Sequence, residues 1–244
     1  MKPPPFAYTD PESLPEALET LGQYGDEAKL LAGGQSLVPL LNMRLAQPEI
    51  LIDLNRIDAL SYIRPTSRDG VAGIALGAMT RQNTVESSSD IRSSLPLLAE
   101  GLGWVGHQQI RNRGTVGGSI AHADPAAELP LLFQVLGGVA TAQSVTRTRT
   151  IAASDFFVYT FTPALEPGEI LTEVWFPVRA SRTGHAFLEV ARRHGDFALV
   201  AVTAVITLGQ DETIVEARIA LGGAAPVPFR ATRAEQSLRG QRPS

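Results

Sequence analysis

Two glycine turns are the part of this sequence best suited to holding a charged ligand. Residues 32–36 read Ala-Gly-Gly-Gln-Ser and residues 115–119 read Thr-Val-Gly-Gly-Ser. Glycine permits positive φ and lets backbone N–H groups approach a ligand without an intervening Cβ. Two such turns could converge on the two phosphates of a dinucleotide, where neutral N–H donors would hold the negative charge because neither turn contains a lysine. Either turn alone is also compatible with a plain tight connection between a strand and a helix.

Two acids, Asp124 and Glu128, follow the second turn. Asp124 precedes Pro125, which is typical of the start of a helix, so one interpretation is structural capping. The other is that one of the acids contacts a ribose hydroxyl or a ring N–H of the ligand. The residues alone leave both interpretations open.

The sequence contains no motif typical of a metal site, a catalytic nucleophile or a nucleoside triphosphatase. The four histidines lack metal-ligand spacing, and neither a nucleophile elbow nor a phosphate-binding Gly-x-x-x-x-Gly-Lys loop occurs. The Rossmann glycine motif is missing as well, so any dinucleotide would bind by another fold. With no cysteine, the chain cannot supply thiolates to an iron–sulfur cluster or a zinc ion. We therefore predict neither a catalytic residue nor a metal ligand.

The elements around the turns predict an α+β chain of two lobes and a small further domain. The first turn lies between a strand at residues 29–32 and a helix at 36–45, and a strand follows at 50–54. Lobe one is therefore placed at residues 1–56 and lobe two at 57–176. Lobe two is predicted to contain strands at 62–64, 73–77, 139–142 and 170–177 and helices at 80–86, 95–106, 129–135 and 154–157. Beyond residue 176, β segments at 186–190, 199–206 and 217–221 predict a C-terminal domain, residues 177–244, with a three-stranded antiparallel sheet.

The bulk composition is that of a globular protein with a real core. Hydrophobic residues make up 44% of the 244 residues and the net charge is −4, so nucleic acid and anionic membranes are poor candidates for partners. No apolar stretch is long enough for a transmembrane helix, and residues 1–6 lack the apolar region of a signal peptide. We expect a cytoplasmic protein.

Both glycine motifs resemble the signatures of one family, the FAD-binding medium subunits of molybdenum hydroxylases such as aerobic carbon monoxide dehydrogenase. The FAD domain of xanthine dehydrogenase is a more distant relative. The resemblance rests on residues 29–37 and 110–119, and extends to residues 4–8 and 193–198. It implies a two-lobed FAD-binding domain of the PCMH, or vanillyl-alcohol-oxidase-like, type. The family's C-terminal domain usually ends in a helical bundle, so the short tail before Ser244 predicts a truncated C-terminal domain.

The resemblance implies a noncovalent FAD whose pyrophosphate lies between the two glycine turns. Glu128 stands where the family usually has a cofactor-contacting Asp. The backbone at Ile170 and the side chain of Phe187 are candidates for packing near the isoalloxazine, although Phe187 could equally be a core residue. The implied cofactor-binding residues are Lys29, Leu31, Ala32, Gly33, Gly34, Gln35, Ser36, Thr115, Val116, Gly117, Gly118, Ser119, Glu128, Ile170 and Phe187.

The resemblance also implies partners and a role in electron transfer. A large subunit would carry the molybdenum cofactor, and a small subunit would carry two [2Fe–2S] clusters that reduce the FAD of this chain. FAD would then pass electrons to an external acceptor, within paired heterotrimers. One alternative is a stand-alone flavin oxidoreductase, which would need a base near the flavin that the sequence does not offer. Another is an assembly module without FAD, against which the intact glycine turns argue.

Overall fold

Residues 2–243, the part of the chain that the computed structural model describes, alternate between short helices and strands. The strands are β1 (Ala7–Thr9), β2 (Ala28–Leu31), β3 (Ile50–Asp53), β4 (Ile63–Arg68), β5 (Val71–Gly77), β6 (Val139–Gln143), β7 (Thr148–Ala152), β8 (Phe157–Tyr159), β9 (Thr162–Pro163), β10 (Ile170–Pro177), β11 (Thr183–Val190), β12 (Val200–Leu208), β13 (Ile214–Gly222) and β14 (Phe229–Arg230). The α-helices are α1 (Leu14–Tyr24), α2 (Leu37–Asn42), α3 (Gln82–Ser87), α4 (Ser89–Ser94), α5 (Pro96–Leu102), α6 (Gln108–Arg113), α7 (Val116–His122), α8 (Glu128–Leu136), α9 (Ala153–Phe156) and α10 (Thr232–Leu238).

The N-terminal sheet is parallel, with strand order β1-β3-β2. Helix α1 begins after Ser13, whose hydroxyl accepts a hydrogen bond from the Glu16 N–H. Its buried positions Ala17, Leu18 and Leu21 share one face because they recur at helical spacing. This face packs with β3 to form a small core of its own.

The second sheet has five antiparallel strands in the order β4-β5-β10-β6-β7. Its central strand β10 is the strand that the sequence predicts at residues 170–177, and six of its eight residues are buried, all but Glu173 and Pro177. The β4–β5 hairpin is longer than predicted because Asp69 and Gly70, both at positive φ, make a tight two-residue turn. Polar residues of β4 therefore continue the ladder toward that turn on a solvent-facing edge.

The C-terminal sheet has four antiparallel strands, β11-β12-β13-β14, rather than the predicted three. The additional strand β14 is only two residues long, and such a strand gives no detectable alternation in the sequence. Helix α8 packs against this sheet and against the rest of the main core, and all nine of its residues are buried. A helix that is apolar all round belongs inside a domain.

Several predicted helices end at different residues in the structure. The helix predicted at 36–45 spans only Leu37–Asn42, and that predicted at 95–106 spans Pro96–Leu102 and ends at Gly103. Helices α4 and α6 were not predicted, and each has a single apolar residue, Ile91 or Ile110, so neither shows a periodic apolar pattern. The second glycine motif is not a turn, since Gly117 and Gly118 lie inside helix α7.

Candidate cofactor site

The first glycine turn connects β2 to α2 and presents a row of free backbone donors. Gly34 has φ +73°, a conformation that side-chain-bearing residues rarely adopt. The Gln35 side chain donates to the Gly33 carbonyl at 3.1 Å. The N–H groups of residues 33–37 donate to no acceptor among the described residues 2–243. Successive N–H groups in such a bend form a concave site for an anion.

The second glycine segment uses its N–H groups differently. The N–H of Val116 donates to the Thr80 carbonyl at 3.0 Å and that of Gly117 to the Ala78 carbonyl at 2.8 Å. Thr115 caps helix α7 by accepting the Gly118 N–H at 3.1 Å. These donors are therefore committed within the protein, contrary to the expectation that both turns present free N–H groups. The fully buried Val116 side chain likewise serves the core.

The two glycine segments touch each other. A Cβ added to Gly33 would stand 2.5 Å from the Arg113 carbonyl oxygen, and one added to Gly118 would stand 3.2 Å from the Ala32 Cβ. Gly33 is needed because the backbone of Arg113 and Gly114 lies too close for a side chain, whereas a Cβ at Gly118 would press on the side chains of Thr115 and Ala32. The two motifs are about 80 residues apart along the chain, and they lie next to each other in the structure, as the sequence predicts.

Asn55 and Arg81 complete this junction, and sequence reasoning missed both. The Asn55 side-chain amide donates to the Ala32 carbonyl at 2.9 Å. Arg81 donates from Nη2 to Asn55 Oδ1 and from Nη1 to the Arg113 carbonyl, each at 2.5 Å. Burial, together with the nearby Arg113 charge, lowers the pKa of Arg81. The sequence carries one signal for Asn55, since it is a polar residue directly after the buried strand predicted at 50–54. It carries no such signal for Arg81.

Glu128 is the first residue of helix α8 and is buried, with 5% of its surface exposed. Burial raises the pKa of its carboxyl group to about 7, and the nearby acids Glu189 and Asp124 act in the same direction. Asp124 instead stabilises the preceding turn, accepting the Ala126 N–H at 2.9 Å. Ala127, not Asp124, is the N-cap residue of α8. Glu128 can therefore donate a hydrogen bond near neutral pH, which an ordinary carboxylate cannot.

The remaining predicted site residues lie on strands. Lys29 is exposed on β2, and Leu31 ends that strand beside the first turn. Ile170 is 1% exposed within the core of the parallel sheet, so only its backbone could face a ligand. Phe187 is buried on β11, with its ring centroid 6.0 Å from that of Trp104. The structure therefore joins Ala32–Ser36 to Thr115–Ser119 directly and gives Phe187 a place in the main core.

Within residues 2–243, the structure has no group of three or more His, Asp or Glu residues that could hold a metal ion. The same residues include no helix long and apolar enough to cross a membrane. The glycine junction itself is built from backbone donors, one arginine and one asparagine.

The glycine junction offers backbone donors to an anionic ligand, and comparison with known proteins identifies the family. Residues 4–179 match the family described as FAD binding domain in molybdopterin dehydrogenase, and residues 185–244 match the CO dehydrogenase flavoprotein C-terminal domain. The chain therefore belongs to the FAD-binding medium subunits of the molybdenum hydroxylases.

Individual relatives are similar over almost the whole chain. The 6-hydroxypseudooxynicotine dehydrogenase complex subunit alpha of Paenarthrobacter nicotinovorans is 43% identical over 98% of this chain and 79% of its own length. The caffeine dehydrogenase subunit beta of a Pseudomonas species is 40% identical over 99% of this chain and 80% of its own. In a solved structure of carbon monoxide dehydrogenase from Hydrogenophaga pseudoflava, a chain 40% identical superposes with a TM-score of 0.95, covering 100% of this chain and 83% of that one.

Proposed function

We propose that this chain is an electron-transfer subunit that takes electrons from [2Fe–2S] clusters on a partner and passes them, through FAD, to an external acceptor. Its family membership makes it an FAD-binding subunit of an oxidoreductase. The observation that carries the rest is the pairing of a free N–H row at residues 33–37 with a closely packed second glycine segment. Such a row suits the pyrophosphate of a dinucleotide.

The residues present fit FAD at this junction. In the proposal, the free N–H groups of residues 33–37 hold the pyrophosphate next to Ala32, while Gly118 and the Ser119 hydroxyl line the opposite side. Val116 and Gly117 hold the second segment in position, because their N–H groups donate to the carbonyls of Thr80 and Ala78 and Gly117 packs against Ala78. Glu128 supplies a carboxyl group that can donate or accept, and the Ile170 backbone and Phe187 lie toward the ring system. Lys29 and Leu31 complete the strand that leads into the site.

FAD supplies the redox chemistry when bound, since it accepts and releases electrons that protein side chains cannot carry. The chain's own groups bind and orient it and exclude water. We assign residues 1–176 to the cofactor domain, with lobes at 1–56 and 57–176, and residues 177–244 to the C-terminal domain. The partners are a large molybdopterin-binding subunit and a small iron–sulfur subunit in paired heterotrimers, and the cysteine-free chain suits the cytoplasm.

Reconstitution tests the electron path. The purified chain is loaded with FAD and mixed anaerobically with the large and small subunits of its complex, and the flavin absorbance is followed after addition of the substrate of the complex. The proposal predicts bleaching that requires both partners. A matched control replaces a cluster-ligating cysteine of the small subunit by serine and abolishes the bleaching. Bleaching by substrate with the chain alone would instead identify a stand-alone oxidoreductase.

A further inference from the structure

Arg81 occupies a junction between the two glycine segments. Its backbone runs alongside the second segment, since Arg81 and Thr115 form an antiparallel bridge and the Gln82 N–H donates to the Gly114 carbonyl at 2.9 Å. The Val116 N–H returns a bond to Thr80. The backbone position of Arg81 is therefore fixed from both sides.

The Arg81 side chain continues this link to the first segment. One Nη donates to Arg113 O and the other to Asn55 Oδ1, and Asn55 in turn donates to the carbonyl of Ala32. The result is one chain of hydrogen bonds from the first turn to the residue that faces Gly33. A guanidinium group can make both contacts at once because it is planar and forked, whereas a lysine ammonium is a single point donor.

The charge of Arg81 has no direct counter-ion. Among residues 2–243, no carboxylate oxygen forms a salt bridge with its partly exposed guanidinium group, and the Asp53 carboxylate, which accepts a hydrogen bond from the Asn55 amide, is the opposing charge that acts on it from further away. A partly buried charge without an ion-pair partner is costly. This cost is reduced when an anion lies nearby, and the free N–H row of residues 33–37 is part of the same junction.

We propose that Arg81 is a positioning residue for the pyrophosphate of the cofactor. It sets the spacing of the two glycine segments through Asn55 and Arg113, and its positive charge adds to the neutral N–H donors. This inference rests on the proposed FAD site and deepens it.

The test compares cofactor affinity in variants of the full chain freed of flavin. Arg81→Gln is expected to weaken FAD binding about 10- to 100-fold, because a hydrogen bond involving a charged group contributes in that range. Arg81→Lys keeps the charge but not the fork, and it should bind at least several-fold more weakly than the unaltered chain. Arg92→Gln is the matched control, since exposed Arg92 also donates to a backbone carbonyl, that of Glu86, away from the site. It should bind FAD normally.

Competition with flavin fragments separates positioning from general stability. ADP carries the pyrophosphate and riboflavin carries none, so the loss should appear for FAD and ADP and spare riboflavin. Circular dichroism of each flavin-free variant confirms folding, and Asn55→Ala serves as a second, milder break in the same chain of hydrogen bonds. Unchanged FAD affinity in Arg81→Gln, full recovery in Arg81→Lys, or equal losses for ADP and riboflavin would overturn the inference. If the unaltered chain binds no FAD, the proposed function itself fails.

Discussion

Adding one methyl group at neighbouring glycines of α7 should separate cofactor binding from stability. Gly117 and Gly118 are adjacent in sequence but face different surroundings. A Cβ at position 117 would stand 2.4 Å from the Ala78 Cβ and 2.8 Å from its backbone. At position 118 it would stand 2.6 Å from Thr115 Oγ1 and 3.2 Å from the Ala32 Cβ. The first clash lies in the core and the second at the proposed cofactor junction.

The expected cost of Gly117→Ala follows from overpacking. Forcing a methyl group into a filled site costs about 1–3 kcal/mol, and weakening the bond from the Gly117 N–H to the Ala78 carbonyl costs about 1 kcal/mol more. Alanine is favoured over glycine in a helix by about 1 kcal/mol, which offsets part of this. We expect a net loss of about 2 kcal/mol in the free energy of unfolding, or a fall in Tm of about 5 °C for a chain of this size.

Gly118→Ala should leave stability nearly unchanged. Its methyl group displaces the Thr115 hydroxyl from the Gly118 N–H, and losing such a cap costs about 1 kcal/mol. The same gain in helix propensity, about 1 kcal/mol, cancels this cost. The methyl group also presses on Ala32 in the first turn. Losing one charged hydrogen bond there weakens FAD binding by about tenfold or more.

The assay measures thermal unfolding of the flavin-free chain and FAD affinity by quenching of flavin fluorescence. The reasoning predicts lower stability for Gly117→Ala and lower affinity for Gly118→Ala. Equal destabilisation of the two variants would refute the packing argument. A folded Gly118→Ala variant with normal FAD affinity would remove residue 118 from the site.

Three further perturbations test other parts of the account. Gly34→Ala should destabilise the first turn by about 1–2 kcal/mol, because Gly34 has φ +73°, and should weaken FAD binding, as measured by urea unfolding and FAD titration. Burial raises the pKa of Glu128 from 4.5 to about 7, so the folded state holds a proton that the unfolded state releases, and stability should fall as pH rises from about 4.5 to 7. Glu128→Gln should remove this pH dependence, and at pH 8 its free energy of unfolding should exceed that of the unaltered chain by roughly 3 kcal/mol. Parallel profiles of stability against pH for the two proteins would contradict the assignment. Phe187→Ala should cost about 3 kcal/mol and change Trp104 fluorescence because the two rings pack together, and a normal Tm would show that Phe187 is not a core residue.

Sequence patterns predicted the elements that are long and strongly apolar. Strand β10 was predicted at its full length because its apolar residues on both sides of Thr172 and Glu173 lead to a stop at Pro177. Helix α8 was predicted within one residue at each end because its apolar run ends at Gly137. Strand β14 was not predicted because two residues cannot show alternation, and helices α4 and α6 were not predicted because each has a single apolar residue. The longer β4 depends on the Asp69-Gly70 turn rather than on alternation.

The sequence could predict the part of the candidate site that consists of the glycine motifs. The glycine motifs indicated close packing, and Gly33 lies against the backbone of Arg113 while Gly118 lies against the side chains of Thr115 and Ala32. Sequence could not show that the N–H groups of Val116 and Gly117 are consumed by Thr80 and Ala78, because those bonds depend on tertiary contacts. Arg81 was missed for the same reason, since its partners are 26 and 32 residues away along the chain.

The visible absorption spectrum of the purified full chain, before and after adding FAD, tests the central claim most directly. The account predicts the bands of oxidised flavin, release of intact FAD on heating, and recovery of the spectrum when FAD is added back to the flavin-free chain. A folded chain that is colourless and takes up no FAD would contradict the proposed cofactor site and, with it, the electron-transfer role.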